Sequence, residues 1–156
     1  MVIERTLSAV TGDELPLLEA LLDVADSAMT YRRRYRATLQ VAPVIDLLVA
    51  DDRNPRAIVF QLASLAEHVA SLPRETSPAR RTPEERLALE ALSQVRLIDV
   101  EEVCARAGAS GTERPALNAL LAGLVHKLQG LSDALFTAYL TPAAISRALA
   151  SPEIGA

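Results

Sequence analysis

The sequence predicts an all-α fold, an antiparallel bundle of about five or six helices. Three observations predict it. Half of the residues are hydrophobic, mostly leucine, alanine and valine, yet only 3% are aromatic, so good helix formers abound and the aromatic strand formers are scarce. Leucines recur at three- and four-residue spacings along most of the chain. No run alternates polar and apolar residues for long enough to make a strand; Arg96-Leu97-Ile98-Asp99-Val100 comes nearest and reads better as a bend in a helix.

The elements follow in order. Thr11-Gly12-Asp13 punctuates the chain, and Thr11 with Glu14 fits a capping box. Leu18, Leu21, Leu22, Ala25, Ala28 and Met29 then mark one helix from about Leu15 to Arg36, whose terminal arginines oppose the negative end of its dipole. Val44, Ile45, Leu47 and Leu48 give a second helix over Ala42 to Ala50, closed by Asp51-Asp52-Arg53. Asn54-Pro55 reads as a helix start, with Asn as N-cap and Pro in the first turn. Ile58, Leu62, Leu65, Val69 and Leu72 supply its seam, and Pro73 stops it.

Residues 73–83, rich in proline and polar side chains, are expected to be an exposed connection. Thr82-Pro83-Glu84-Glu85 combines a capping box with an N-terminal proline and opens a helix reaching Ala107, irregular near Ile98-Asp99. Gly108-Ala109-Ser110-Gly111 links it to a long helix, Glu113 to Tyr139, carrying Leu117, Leu120, Leu121, Leu124, Leu128, Leu131 and Leu135. Thr141-Pro142 opens a short last helix to Leu149, with a frayed tail beyond Pro152. The whole, 1–156, is read as a single helical domain.

A net charge of −4 argues against general affinity for nucleic acid or an anionic membrane. The single cysteine, Cys104, cannot form an internal disulfide and fits a reducing cytoplasm. No signal peptide is evident, and the longest apolar region, Ala116 to Val125, is too short to span a bilayer.

One stretch departs from this background. Met29-Thr30-Tyr31-Arg32-Arg33-Arg34-Tyr35-Arg36 holds two of the three tyrosines and four arginines in an acidic chain. On a continuous helix Tyr31 and Tyr35 share a face, as do Arg32 and Arg36, and Arg33 lies one turn before Arg36. Arg53 and Arg56 follow beside the expected helix start. Tyr31, Arg32, Arg33, Tyr35, Arg36, Arg53 and Arg56 therefore form a candidate site for a phosphate, a carboxylate or an acidic partner. The alternative is structural: the arginines pair with Asp23, Asp26, Asp46, Asp51 and Asp52 while the tyrosines fill core gaps.

Other candidates are weaker. Gln61, Ser64 and His68 make a polar stripe without an orienting acid and a nucleophile, so His68 reads as a surface residue, as does His126. Two widely separated histidines and one cysteine lack metal-ligand spacing, so no metal or cofactor is expected. Glu84-Glu85 and Glu101-Glu102 read as exposed surface and capping, and Cys104 as a small buried residue.

The tyrosine–arginine run resembles the alpha-E family of bacterial all-helical proteins, named for a Glu-Arg motif. The resemblance continues through Leu39-Gln40-Val41-Ala42-Pro43-Val44-Ile45-Asp46-Leu47-Leu48, through Asn54-Pro55-Arg56-Ala57-Ile58-Val59-Phe60-Gln61-Leu62 to Leu72-Pro73, and more weakly to Tyr139. It covers the C-terminal half of such proteins. Ile3-Glu4-Arg5-Thr6-Leu7 looks like a second Glu-Arg occurrence near their middle, which implies that this chain is a fragment or a truncated reading frame.

The family has no established catalytic activity. Its members occur fused to, or encoded beside, ATP-grasp ligase-like proteins, transglutaminase-like proteins and amidohydrolases. The resemblance thus implies a non-catalytic accessory domain that holds an ATP-grasp enzyme or its peptide substrate. The competing expectations are a structural module that oligomerises through leucine-rich seams and, ranked last, an enzyme with a site around Tyr31 and Tyr35. A bundle of half the usual length is also expected to expose apolar surface and self-associate.

Overall fold

The computed structural model describes residues 14–36, 38–73, 80–108 and 113–141. Several expectations lie outside them: the Thr11 cap, the Ile3–Leu7 segment, most of the 73–83 connection, most of the Gly108–Gly111 link, the Thr141-Pro142 helix and the tail. Among the described residues every regular element is helical. These are α1 (Leu15–Val24), α2 (Ala28–Arg34), α3 (Val41–Ile45), α4 (Ile58–Ala70), α5 (Pro83–Arg96), α6 (Val100–Cys104) and α7 (Pro115–Leu135). The helices α3 and α7 each run on into a wider π-helical turn, Asp46–Ala50 and Phe136–Leu140 respectively. The all-α class is as expected, in more and shorter pieces.

The expected Leu15–Arg36 helix is two helices. Asp26 adopts a left-handed backbone, φ 49°. The Ser27 N–H reaches back to the Leu22 carbonyl at 2.8 Å and the Asp26 N–H to Asp23 at 3.0 Å. That pair of bonds is a Schellman closure, which satisfies the terminal carbonyls of α1 and redirects the chain. It needs a residue with positive φ, and aspartate, though less at ease there than glycine, is tolerated. With no glycine or proline at 25–27, the sequence carries no obvious stop.

Asn54-Pro55 does not open α4 either. The N-cap of α4 is Ala57. Asn54 instead closes a turn, its Oδ1 accepting from the Arg56 N–H at 3.1 Å and its backbone carbonyl from the Ala57 N–H at 2.9 Å. The capping box expected at Thr82 is present, with Thr82 and Glu85 bonded reciprocally at α5. The single helix expected from there to Ala107, irregular near Ile98-Asp99, is instead two: α5 ends at Arg96, and the Asp99 carboxylate opens α6 by accepting from the Glu101 and Glu102 N–H groups.

The core centres on 44–49. Val44, Ile45, Leu47, Leu48 and Val49 are all buried, with Asp46 the one polar residue among them. A segment apolar on nearly every side must be enclosed by its neighbours. Leu18, Leu21 and Leu22 of α1, Val59 and Leu62 of α4, Ala91 and Val95 of α5, and Leu117, Leu121 and Leu124 of α7 join it in one cluster. A second cluster, Val69, Ala88 and Leu131, holds α4, α5 and α7 together further along. Helices α5 and α7 run antiparallel, since Gly123 lies against Gln94 and Gly130 against Leu87.

An ion network ties α1 to the far end of the chain. The Glu14 carboxylate takes Arg114 at 2.7 Å and Arg106 at 3.1 Å, and the Arg114 Nε–H also reaches the Cys104 carbonyl at 3.1 Å. Arg114 is buried, so its charge requires this partner. Glu84 and Glu85, expected at the surface, are buried as well. Glu84 accepts from the Tyr139 hydroxyl at 3.3 Å, and Glu85 is held in the capping box.

A methyl group placed on Gly130 would meet Leu87 at 3.7 Å, an ordinary contact. Gly130→Ala is therefore expected to stabilise the fold by about 0.5–1 kcal/mol through helix propensity alone. Urea denaturation checks the sign. Gly123→Ala should gain less, because its Cβ falls 2.9 Å from Gln94 Nε2 and that side chain must swing aside.

Candidate functional site: the arginine and tyrosine corner

The corner is built on α2 and the chain that leaves it. Tyr31 is 2% exposed and belongs to the core. Its hydroxyl accepts from the Gln40 N–H at 3.3 Å and donates to the Thr38 carbonyl at 3.4 Å, fixing the connection to α3. Tyr35 follows the end of α2, and its ring lies 5.0 Å from that of Tyr31, tilted by 36°. The Tyr35 hydroxyl donates to the Asp46 carboxylate, and the Arg34 guanidinium donates to Asp51.

These contacts set the electrostatics. Burial, then the hydrogen bond to Asp46, pushes the Tyr35 phenol up to about 12, while Arg34 pulls the other way. The hydrogen bond to Asp51 raises Arg34 further above its already high value, against desolvation. Tyr35 is thus a fixed neutral donor at physiological pH and unsuited to act as a general base there. Cys104, half-buried elsewhere, is pushed up to about 11 mainly by burial, with Glu101 adding to the shift and Arg114 opposing it. Its thiol is correspondingly a poor nucleophile.

Asp51 is the hub. Besides Arg34 it accepts from the Arg53 backbone N–H at 3.2 Å, with the Arg53 side chain at 3.9 Å. Next to it Asn54, also buried, donates from Nδ2 to the Leu47 carbonyl at 2.9 Å, serving a carbonyl at the end of the core segment. Arg56 pairs with Asp26 at 3.1 Å, both side chains being well exposed, so that pair contributes little.

The predicted set therefore divides. Tyr31 is buried and Tyr35 is half-buried and bonded to Asp46, whereas exposed Arg53 lies 3.9 Å from the buried Asp51 and Arg56 meets the exposed Asp26. Arg32, Arg33 and Arg36 are exposed, and their guanidinium groups make no hydrogen bond or ion pair with any described residue. Because α2 closes at Arg34, Arg36 stands beyond the helix, and the expected pairing of Arg32 with Arg36 on one helical face does not arise. Of the acids expected as arginine partners, Asp51 and Asp26 serve as such, whereas Asp46 takes Tyr35. Arg34, the most firmly held of the arginines here, was absent from the predicted site. So were Glu14, Arg106 and Arg114, and no spacing in the sequence links those three.

Two surface grooves lie elsewhere. One, of about 480 Å³, runs between α4 and α5 over Ala63, Ala66, Ala70, Leu89 and Leu92; the other follows the outer face of α5 past Lys127. Neither is lined by the tyrosines or arginines of the corner. His68 and His126 are exposed. Among the described residues no group of three or more histidine, cysteine or carboxylate side chains could hold a metal ion, and no helix is long and apolar enough to cross a membrane.

The model of the Alpha-E family, described as a predicted alpha-helical domain with a conserved ER motif, matches residues 2–140. The chain is also 33% identical over 135 residues to the uncharacterized protein Rv2567 of Mycobacterium tuberculosis and, equally, to the uncharacterized protein Mb2597 of Mycobacterium bovis. The alignment covers 85% of this chain and 15% of either relative, so the chain spans a small part of their length. No solved structure matches.

Two outcomes are expected at the corner. Asp51→Asn keeps the shape but loses the charge opposite Arg34, and should lower stability by about 1–2 kcal/mol, read as a shift of the urea midpoint. Folding favours the protonated Tyr35 phenol, so its contribution is full below its ordinary value of 10 and is lost as pH rises through about 12. Across that window the stability gap between wild type and Tyr35→Phe should narrow.

Proposed function

The chain belongs to the Alpha-E family, and on that premise we propose that it is a non-catalytic accessory domain that grips an acidic group on a partner. The partner is an ATP-grasp ligase-like protein of a peptide-forming system, or the peptide that such a protein handles. One observation carries this reading: Arg32, Arg33 and Arg36 are exposed and free of described acids, while Arg34 beside them is locked to Asp51. In an acidic chain, three guanidinium groups on a braced scaffold are a surface for carboxylate or phosphate. The Tyr31–Tyr35 pair and Asp46 supply the bracing, so the scaffold need not reorganise on binding.

A second reading has its own observation. The Arg34–Asp51 and Arg56–Asp26 pairs favour a structural role for part of the corner. Val24, Met29, Leu97, Phe136 and Leu140 are large apolar side chains left exposed, which suits self-association.

The experiment is binding to a purified ATP-grasp ligase-like protein encoded beside a gene of this family. Arg33→Ala combined with Arg36→Ala should weaken binding roughly tenfold and leave the melting temperature unchanged, because neither side chain holds the fold. Equal binding by wild type and variant, or no binding by either, rejects the proposal. Size-exclusion chromatography with light scattering tests the second reading, which a clean monomer at high concentration rejects.

A further inference from the structure

We infer that the ligand of this surface is an extended acidic peptide carrying apolar side chains, rather than a compact phosphate; the inference rests on the anion-binding reading above. The arrangement of the free charges is the first ground. Arg32 and Arg33 are consecutive on α2 and so diverge by about 100° around its axis, while Arg36 lies past the end of the helix. Donors spread in this way match several separated negative charges better than one dianion.

The local field is the second. Arg32 and Arg33 sit on the last turn of α2, where carbonyls rather than N–H groups face outward, so the amides of α2 do not assist an anion there. Exposed Asp52 and the acids Asp46 and Asp51 nearby add negative charge, which penalises a concentrated dianion most. Each exposed guanidinium contributes little alone, so binding requires several contacts at once.

The surroundings choose between polyanions. Met29, three and four residues before Arg32 and Arg33 on α2, is 68% exposed and offers an apolar contact next to the charges. A peptide with apolar residues between its acids can use that contact. A nucleic acid would want exposed aromatic faces for stacking, but Tyr31 is buried and Tyr35 is fixed to Asp46.

The test is fluorescence anisotropy on the full chain with a labelled dodecapeptide of alternating Glu-Glu-Leu units. Wild type is expected to bind it, roughly tenfold more weakly on raising low salt to physiological salt. The variant Arg32→Gln, Arg33→Gln, Arg36→Gln should lose roughly tenfold or more at unchanged melting temperature, and Met29→Ser severalfold. Inorganic phosphate at matched charge should not compete, and a uridine dodecamer should bind more weakly than the peptide. Competition by phosphate, tighter binding of the RNA, or an unchanged Met29→Ser overturns the peptide inference while leaving an anion-binding surface in place. An arginine variant that binds the peptide as wild type does overturns both.

Discussion

A helix end buried inside a bundle must find partners for its polar backbone within the protein, because water cannot reach it. The segment from Val41 to Ala50 imposes that constraint here. Its apolar residues from Val44 to Val49 are enclosed, and the chain must then leave the core through Asp51 to Ala57. Asn54 meets the requirement by donating to the Leu47 carbonyl, and Asp51 by accepting the Arg53 N–H. A largely buried Asp51 carboxylate in turn needs a cation, and α2 supplies Arg34. That pair ties the end of α2 to the exit of the core segment.

The same constraint sorts the charges. Arg34 and Tyr35 face the acids of the core segment and are occupied. Arg32 and Arg33, on the same short helix, are left toward solvent, and Arg36 follows where the backbone has left the helix. Held and exposed guanidinium groups therefore alternate within one run of sequence, and the binding role proposed above falls to the exposed ones. The ring pair of Tyr31 and Tyr35 braces the run, since Tyr31 anchors it in the core and orders the connection that follows it.

Part of this was legible beforehand because it is local. The capping box at Thr82, the interruption at Asp99 and the stop before Pro73 each depend on a few adjacent residues and hold in any surroundings. The turn at Asp26 was hidden because its backbone conformation is one that aspartate tolerates but does not announce. Asn54-Pro55 misled for a related reason: the same pair suits a helix start and an isolated turn, and the buried Leu47 carbonyl decided for the turn. The burial of Glu84 required Tyr139, which lies 55 positions further along.

The sequence by itself determined the class of fold and the presence of a basic, tyrosine-bearing corner. Leucine periodicity and composition act through helix propensity and one-sided burial, which are properties of neighbouring residues. Only the tertiary structure decided which arginines are held and which are free, and that Glu14 joins Arg106 to Arg114 across the bundle. Pairings of that kind depend on which helix ends meet in space. Hydrophobic packing sets those meetings without regard to the charges carried along, so the spacing of the charges alone does not reveal them.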